Sequence, residues 1–471
     1  MFLKNISKFI SGYKYSQATI ETINVAKAAF LDYLGVTFRG FKENPSQIAF
    51  NTTNEIFKGN SDYSLKASII GKRNYKTDVL SAGFVDGISA HSLELDDGHR
   101  LAHVHLGAIA FSTALPLAEA LDVSGISFLE SIIVGYETGI MLGQIVNPEH
   151  RNSGFHSSGT IGTFVAGAVA SKLLKLNTDE IVNTLGLCGT QASGLLVSDH
   201  GGSMGKTLHI GKAVHTGMMS AFLAKNGFTG SENIMEGEEG FLSSMVFANN
   251  SLTKNNHNLD QALRNIGEIK FKDIYFKKYP FCRHLHSAID TALKLRATIN
   301  GQINHIAGLA VKTYDIAAEH DNYNPTTLEE LKQSLPYAIA IALVCGNVNV
   351  DNIHKLIEYG LLKEHSEVNK VNLIKQLANK IIVVKDEELN STYPEKRPSL
   401  LIIKLDEHFR NGVFQNITEI PKGDVENPFE LRELIDKFKE LNPNYDIGKL
   451  VLIDNIEDYN MGYVVNILNR E

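Results

Sequence analysis

The chain has 471 residues, 43% hydrophobic and 21% charged, a globular balance that argues against long disorder and, at this length, favours two domains, or one large domain with a substantial insertion. Its 45 Lys and Arg against 53 Asp and Glu give a net charge of −8, and no long basic stripe is present, so nucleic acid is excluded as the expected partner. A small anion is not excluded, because local cations rather than the chain's total set the potential of a pocket.

Cys188, Cys282 and Cys345 are scattered and form no C-x-x-C pair, which argues against a disulfide framework, a standard zinc site and an iron–sulfur cluster, and points to a reducing cytoplasm. The segment "MFLKNISKFISGYKYS" has no apolar signal region. No apolar run reaches about 18 residues, so no membrane span is expected.

From about residue 18 to 265 the pattern is mostly helical. "ETINVAKAAFLDYLGVTFRG" repeats its apolar residues near a 3.6 period and ends at Gly40. "SFLESIIVGYETGIMLGQIV" and "GFHSSGTIGTFVAGAVASKLLKL" are rich in Gly, Ala and Ser, which suits closely packed central helices. "NTDEIVNTLGLCGTQASG" predicts a helix with Thr178 as N-cap and Asp179 and Glu180 in its first turn. Beyond about residue 270 strand-like segments enter: "HIAGLAVKTYD", "KIIVVKDEEL", and "SLLIIKLDEHF" followed by Asn411-Gly412 and "VFQNITE", the last pair reading as a hairpin. Helical patterns lie between them, at Pro325 to Gly346 and in "NVDNIHKLIEYGLL", and the chain turns helical again from "NPFELRELIDKFKEL" onward.

The fold expected is therefore mainly α with an inserted α+β domain. Residues 1–269 and 421–471 would build one large helical domain, and residues 270–420 a smaller α+β lid. A cleft between two such domains is a favoured place for a small-molecule site.

The stretch "AHSLELDDGHRLAHVHLG" (90–107) gathers Glu94, Asp96, Asp97, His99, Arg100, His103 and His105. It can be read as a metal site, an acid/base site for a small charged molecule, or a solvated loop. No H-x-x-x-H or two-His-one-carboxylate spacing on a regular element favours the metal. The apolar flank "GAIAFSTALPLAEAL" suggests a segment that dips into the protein, where charges must be paired. Four further motifs are each weak alone: "GFHSSG" (154–159), "GKTLHIGKAVHTG" (205–217), "FKKYPFCRHLHSAID" (276–290) and "KQSLPYAIA" (332–340).

Together and in this order, from about residue 20 to 445, these segments resemble the MmgE/PrpD family. The matching pieces are Ala90-His91 leading into "DDGHR", a Gly-Phe-His, a Lys-x-Leu-His-x-Gly, a Lys-x-Tyr-Pro and a Ser-x-x-Tyr. The family includes 2-methylcitrate dehydratase, cis-aconitate decarboxylase and iminodisuccinate epimerase. The resemblance implies a helical domain with a smaller α+β lid, usually as a homodimer. It also implies that Glu94, His105, His156, Lys206, Lys277 and Tyr337 line the pocket, with Gly98 at a position where the decarboxylase carries a hydroxyl residue. Two departures stand out: the family's His-Pro-Gly is His105-Leu106-Gly107 here, with His103 as the alternative histidine, and Glu94 replaces a common Asp.

The chemistry so implied is lyase or epimerase chemistry on a small di- or tricarboxylate, through charge developed beside a carboxylate. Lys206, Lys277 and Arg100 would hold carboxylates. His156, His105 and Tyr337 would move protons, Asp96 and Asp97 would orient them, and Glu94 would be a base or an orienting group. Lys277 and Tyr337 fall in the inserted domain and His156 and Lys206 in the helical one, so a closing lid would complete the site. Neither G-x-G-x-x-G after a strand nor G-x-x-x-x-G-K-[ST] occurs, and the reaction is expected to need no cofactor or metal. "DDGHR", with Arg100 and Gly98, leans toward the epimerase-like and broad bacterial members. Dehydration, decarboxylation and epimerisation stay open, as does a protein that only binds polycarboxylates.

Overall fold

The computed structural model describes residues 2–57, 64–246, 261, 263–406 and 412–469, with His200 described by its backbone alone. The chain forms two compact units: one from Met1–Val197, Gly205–Tyr275 and Glu430–Glu471, the other from Ser198–Met204 and Phe276–Phe429.

The first unit opens with α1 (Phe2–Gly12), α2 (Ile20–Gly40), α3 (Asn44–Phe57) and the strands β1 (Lys66–Ile69) and β2 (Lys72–Asp78). Then come α4 (Val79–His91), β3 (Gly98–His99), α5 (Leu106–Ala120), α6 (Gly125–Val146), α7 (Glu149–Asn152), α8 (Ser157–Leu173) and α9 (Thr178–Gln191). Past α10 (Val197–His200) lie α11 (Gly205–Lys225), α12 (Phe241–Met245) and β4 (Ile274–Tyr275). Its core is built on α5, α6 and α8, with Phe30, Phe111, Phe128, Tyr136 and Phe271 among the fully buried rings. Small residues let α8 and α11 touch: a Cβ on Gly217 would stand 2.4 Å from that of Ala166 and 2.7 Å from the Thr163 carbonyl.

In the second unit α13 (His286–Thr298), β5 (Ile306–Thr313), α14 (Leu335–Cys345), α15 (Val350–Glu358), α16 (Asn369–Lys380), β6 (Ile381–Lys385), β7 (Ser399–Leu405) and β8 (Val413–Thr418) follow in order. The sheet runs β6-β5-β7-β8, parallel between β5 and β6 and antiparallel elsewhere. β7 alternates buried and less buried side chains along its length, and α13 packs on β7 and β8 and against α14. The chain then returns to the first unit as α17 (Leu431–Leu441) and α18 (Met461–Leu468).

Local chemistry explains the unit boundaries. Phe271–Tyr275 stays with the first unit because β4 pairs with β3 and the Glu137 carboxylate accepts from the Lys270 and Phe271 amides at 2.8 and 2.7 Å. Ser198–Met204 belongs with the second, where the Thr327 hydroxyl donates to the Gly202 carbonyl at 3.1 Å.

Several expectations are corrected. The stretch read as mostly helical contains the β1–β2 hairpin, turned at Gly71 in the left-handed region (φ 85°). Asn177, not Thr178, caps α9: its side chain accepts from the Asp179 and Glu180 amides, and Glu180 reaches back to the Asn177 amide at 2.8 Å. The Pro325–Gly346 pattern is two helices, because Ser334 caps α14 and Pro336 sits in its first turn. α6, with 22 residues, is long and apolar enough to cross a membrane by length and composition, against the expectation of no such run, and 78% of its most apolar window is buried. β7 and β8 pair antiparallel as the hairpin reading requires; Asn411 of its turn lies outside the described residues.

The α8–α11 contact yields a stability test. Gly217→Ala should cost about 1–3 kcal/mol in urea unfolding through overpacking. Gly12→Ala, where nothing lies within 4 Å of the new Cβ, should cost far less.

Candidate active site

The ends of four helices meet in the first unit. α4 stops at His91, His105 and His156 are the N-cap residues of α5 and α8, and Lys206 is the second residue of α11. Three helix N-termini thus bring positive dipole ends to one place, which suits an anion. The loop after α4 is pinned from the chain's far end, since Lys437 of α17 pairs with Asp32 at 2.6 Å and donates to the Leu95 carbonyl at 3.0 Å. Within it Glu94 adopts φ 53°, a left-handed backbone that costs a side-chain-bearing residue about 1–3 kcal/mol.

Asp96 is the hub. Its carboxylate accepts from His91 Nδ1 at 2.9–3.0 Å and lies 3.3 Å from His105 Nδ1. Burial alone would raise its pKa, but the two imidazoles and their hydrogen bonds outweigh burial and hold Asp96 well below the usual carboxylate range. His105 Nδ1 also lies 2.9 Å from the Asp97 carbonyl. Both neighbours of that nitrogen are acceptors, so it carries the proton, and Nε2 of His105 is the atom able to take one.

His91 stands between two carboxylates: its Nε2, buried and without a hydrogen-bond partner, is 3.7 Å from Glu94 Oε2. Glu94 Oε1 accepts from Lys206 Nζ at 2.9 Å, a buried pair. The rings of His91 and His105 lie 4.7 Å apart and those of His91 and His156 6.5 Å. His156 meets His209, one turn beyond Lys206 on α11, through Nδ1 atoms 2.9 Å apart. One of these nitrogens must hold a proton and the other a lone pair, so the pair shares a single proton along that line.

The remaining positions divide. Asp97 accepts from Tyr136 Oη at 2.6 Å and the Gly107 amide at 2.8 Å, and burial, only partly offset by those bonds, pushes its pKa to about 7. Gly107 has no room for a side chain, because a Cβ would come within 2.6 Å of Asp97 Oδ1. At Gly98 a Cβ would come within 2.5 Å of the Tyr275 hydroxyl, so that phenol fills the space a side chain there would need. His103 sits half-buried on a left-handed turn (φ 55°), and it is His105 that meets Asp96. Burial raises the Asp273 carboxyl, and Arg100, after Lys272 and Lys270, is one of three cations that only partly offset it. Lys277 and Tyr337 are buried members of the second unit; burial raises the Tyr337 phenol.

Among the described residues His91, Asp96 and His105 form the two-His-one-carboxylate group that sequence spacing had hidden, with one ligand atom of each within 4.8 Å of the others. Its contacts are those of hydrogen bonds, and the proton that the Asp97 carbonyl requires on His105 Nδ1 would have to leave before that atom bound a metal. His91 and His209 had carried no role in the sequence reading. The available signal was spacing: His91 and Glu94, and Lys206 and His209, are each three residues apart at a helix end.

Comparison with known proteins matches the MmgE/PrpD N-terminal domain over residues 4–252 and the MmgE/PrpD C-terminal domain over residues 279–446. The chain belongs to the MmgE/PrpD family. It is 26% identical over 380 residues to the cis-aconitate decarboxylase of Homo sapiens, covering 75% of this chain and 74% of that protein. The cis-aconitate decarboxylase of Mus musculus is likewise 26% identical, over 75% of this chain and 72% of its own. That of Aspergillus terreus (strain NIH 2624 / FGSC A1156) is 26% identical over 47% of this chain and 46% of its own. Three of the pieces that carried the resemblance, Ala90-His91 with its acidic run, the Gly-Phe-His and the Lys-x-Leu-His-x-Gly, supply the helix ends gathered here; the Lys-x-Tyr-Pro and the Ser-x-x-Tyr lie in the second unit.

Two outcomes follow. Asp97 has a folded pKa near 7 against an ordinary 3.8; a raised acid contributes stability that is full below the unfolded value and lost as pH rises through the folded one. Asp97→Asn should therefore flatten the fall in unfolding free energy between about pH 4 and 7, read by urea titrations across that range. Second, His209→Ala should shift the pH profile of turnover, by removing the partner that sets the His156 proton. Its rate loss should be smaller than the roughly 10²–10⁴-fold expected for deleting a proton-transfer group.

Proposed function

We propose that this chain is a lyase acting on a small di- or tricarboxylate, moving a proton at a carbon next to a carboxylate without a bound cofactor. The observation that carries the reading is the shared Asp96: one buried carboxylate orients His91 and His105, beside Lys206 and the His156–His209 pair. Proton removal, or departure of carbon dioxide, leaves negative charge beside a carboxylate. Lys206 and the N-termini of α5, α8 and α11 are the groups that would offset it.

In this reading His105 takes or gives a proton through Nε2, with Asp96 fixing its tautomer. His156 serves the opposite side of the reaction, backed by His209. Lys206 exchanges part of its bond with Glu94 for one to the substrate carboxylate, and Glu94 keeps that ammonium charged and placed. Asp97 orients the loop through Tyr136 and Gly107. Arg100, Lys277 and Tyr337 are proposed as further substrate-holding and proton-donating groups.

Decarboxylation of a cis-aconitate-like substrate is the form favoured by the names of the relatives, which are cis-aconitate decarboxylases. Dehydration and epimerisation draw on the same residue types.

The test is a panel of cis-aconitate, 2-methylcitrate, citrate and iminodisuccinate followed by proton NMR in deuterated water. One of them should be consumed with deuterium entering beside a carboxylate; no turnover of any, with binding retained, would make the chain a polycarboxylate binder. With the best substrate, Lys206→Ala should weaken both binding and turnover, by about 1.5–3 kcal/mol or more. His156→Ala should lower turnover and leave binding nearly intact. A chelator should change neither; loss restored by one added metal would turn His91, Asp96 and His105 into its ligands.

A further inference from the structure

The two nitrogens of His91 are used unequally. Nδ1 donates to Asp96 at 2.9 Å, while Nε2, buried and without a hydrogen-bond partner, stops 3.7 Å short of Glu94 Oε2. A protonated Nε2 so near a carboxylate would close to hydrogen-bond distance, so the gap fits a neutral ring with its one proton on Nδ1. We propose that His91 is a positioning residue that takes over Glu94 when substrate binds: as Lys206 turns from Glu94 to a substrate carboxylate, His91 Nε2 gains a proton from solvent and donates it in a hydrogen bond to Glu94 Oε2. The proposal rests on the polycarboxylate reading above, in which Lys206 grips the substrate.

Charge balance is the first argument. Glu94 is 4% exposed and Lys206 9%, and the two are bonded at 2.9 Å. Sharing that ammonium with an incoming anion withdraws positive charge from a carboxylate that water barely reaches, and buried negative charge is costly unless it is matched.

Geometry is the second. Around His91 stand Asp96 and Glu94 from the loop after α4, His105 from α5 with its ring 4.7 Å away, His156 from α8 at 6.5 Å and, behind Glu94, Lys206 of α11. His105 directs Nδ1 at Asp96 and the Asp97 carbonyl, and His156 directs Nδ1 at His209; it is His91 Nε2 that faces Glu94. Closing that gap takes roughly 0.5–1 Å, within the swing of a Glu side chain. Imidazole can gain a proton near neutral pH, and a carboxylate on each nitrogen favours the doubly protonated ring. Binding then takes up a proton, so affinity weakens as pH rises.

The test is isothermal titration of the full chain with tricarballylate, a saturated tricarboxylate with neither double bond nor hydroxyl to react. Run at about pH 7.5 in HEPES and in Tris, whose ionisation enthalpies differ, the titration counts protons, and the parent should take up about one per site. His91→Asn keeps a donor for Asp96 and has no atom to protonate; Glu94→Gln removes the charge that holds the proton. Each should still bind, with the uptake lost, and either variant that melts cooperatively decides the matter. Uptake unchanged in such a variant, or binding to the parent without uptake, would overturn the proposal and leave the polycarboxylate reading standing. No heat from tricarballylate at millimolar concentration would overturn both.

Discussion

One buried carboxylate serves two imidazoles, and much of the first unit is arranged so that it can. Asp96 keeps its charge because His91 and His105 both turn Nδ1 toward it, and a carboxylate that must hold its charge out of water constrains its neighbours. Asp97, next in the chain, takes the opposite state: without a cation of its own it is pushed toward neutrality and held by a phenol and an amide. Glu94 finds its counter-charge on another helix, in Lys206. Three acids within four residues are thus reconciled by three different means, and the left-handed backbone at Glu94 is part of the cost of pointing them apart.

The helices hold this arrangement by staying close. α8 is buried along nearly all its length, and its glycines and alanines let α11 approach until only hydrogen fits between them. His156 at the start of one and Lys206 and His209 at the start of the other therefore stand on abutting rods, whose relative position is set by backbone contact. Precision of this kind suits proton transfer, which depends on heavy-atom distances near 3 Å.

Much of this was legible in the chain, and the residues show where legibility ended. The helices around Ala29, Ile133 and Val165 follow from periodicity and small-residue content. The β1–β2 hairpin did not, because "KASI" and "KRNYKTD" are short and polar and only Gly71 betrays the turn. Motif order pointed to His105, His156 and Lys206 as candidates, yet gave no role to His91 or His209, whose partners lie 5 and 53 residues away. Such partnerships are set by where helices end in space, which spacing along one segment does not encode. The two-His-one-carboxylate group was missed for the same reason: His105 comes from the far side of a loop.

Gly98 and Tyr275 have a consequence of a different kind. The two residues face each other across a two-residue ladder, and the phenol occupies the volume that any side chain at position 98 would need. Their sizes are traded against each other, so neither position can be altered freely while the other stays as it is. Enlarging residue 98 alone drives it into a buried ring; shrinking Tyr275 alone opens a void beside the acidic loop. Any route to a larger residue at position 98 must pass through both positions, and the order of the two steps decides whether the intermediate is crowded or hollow.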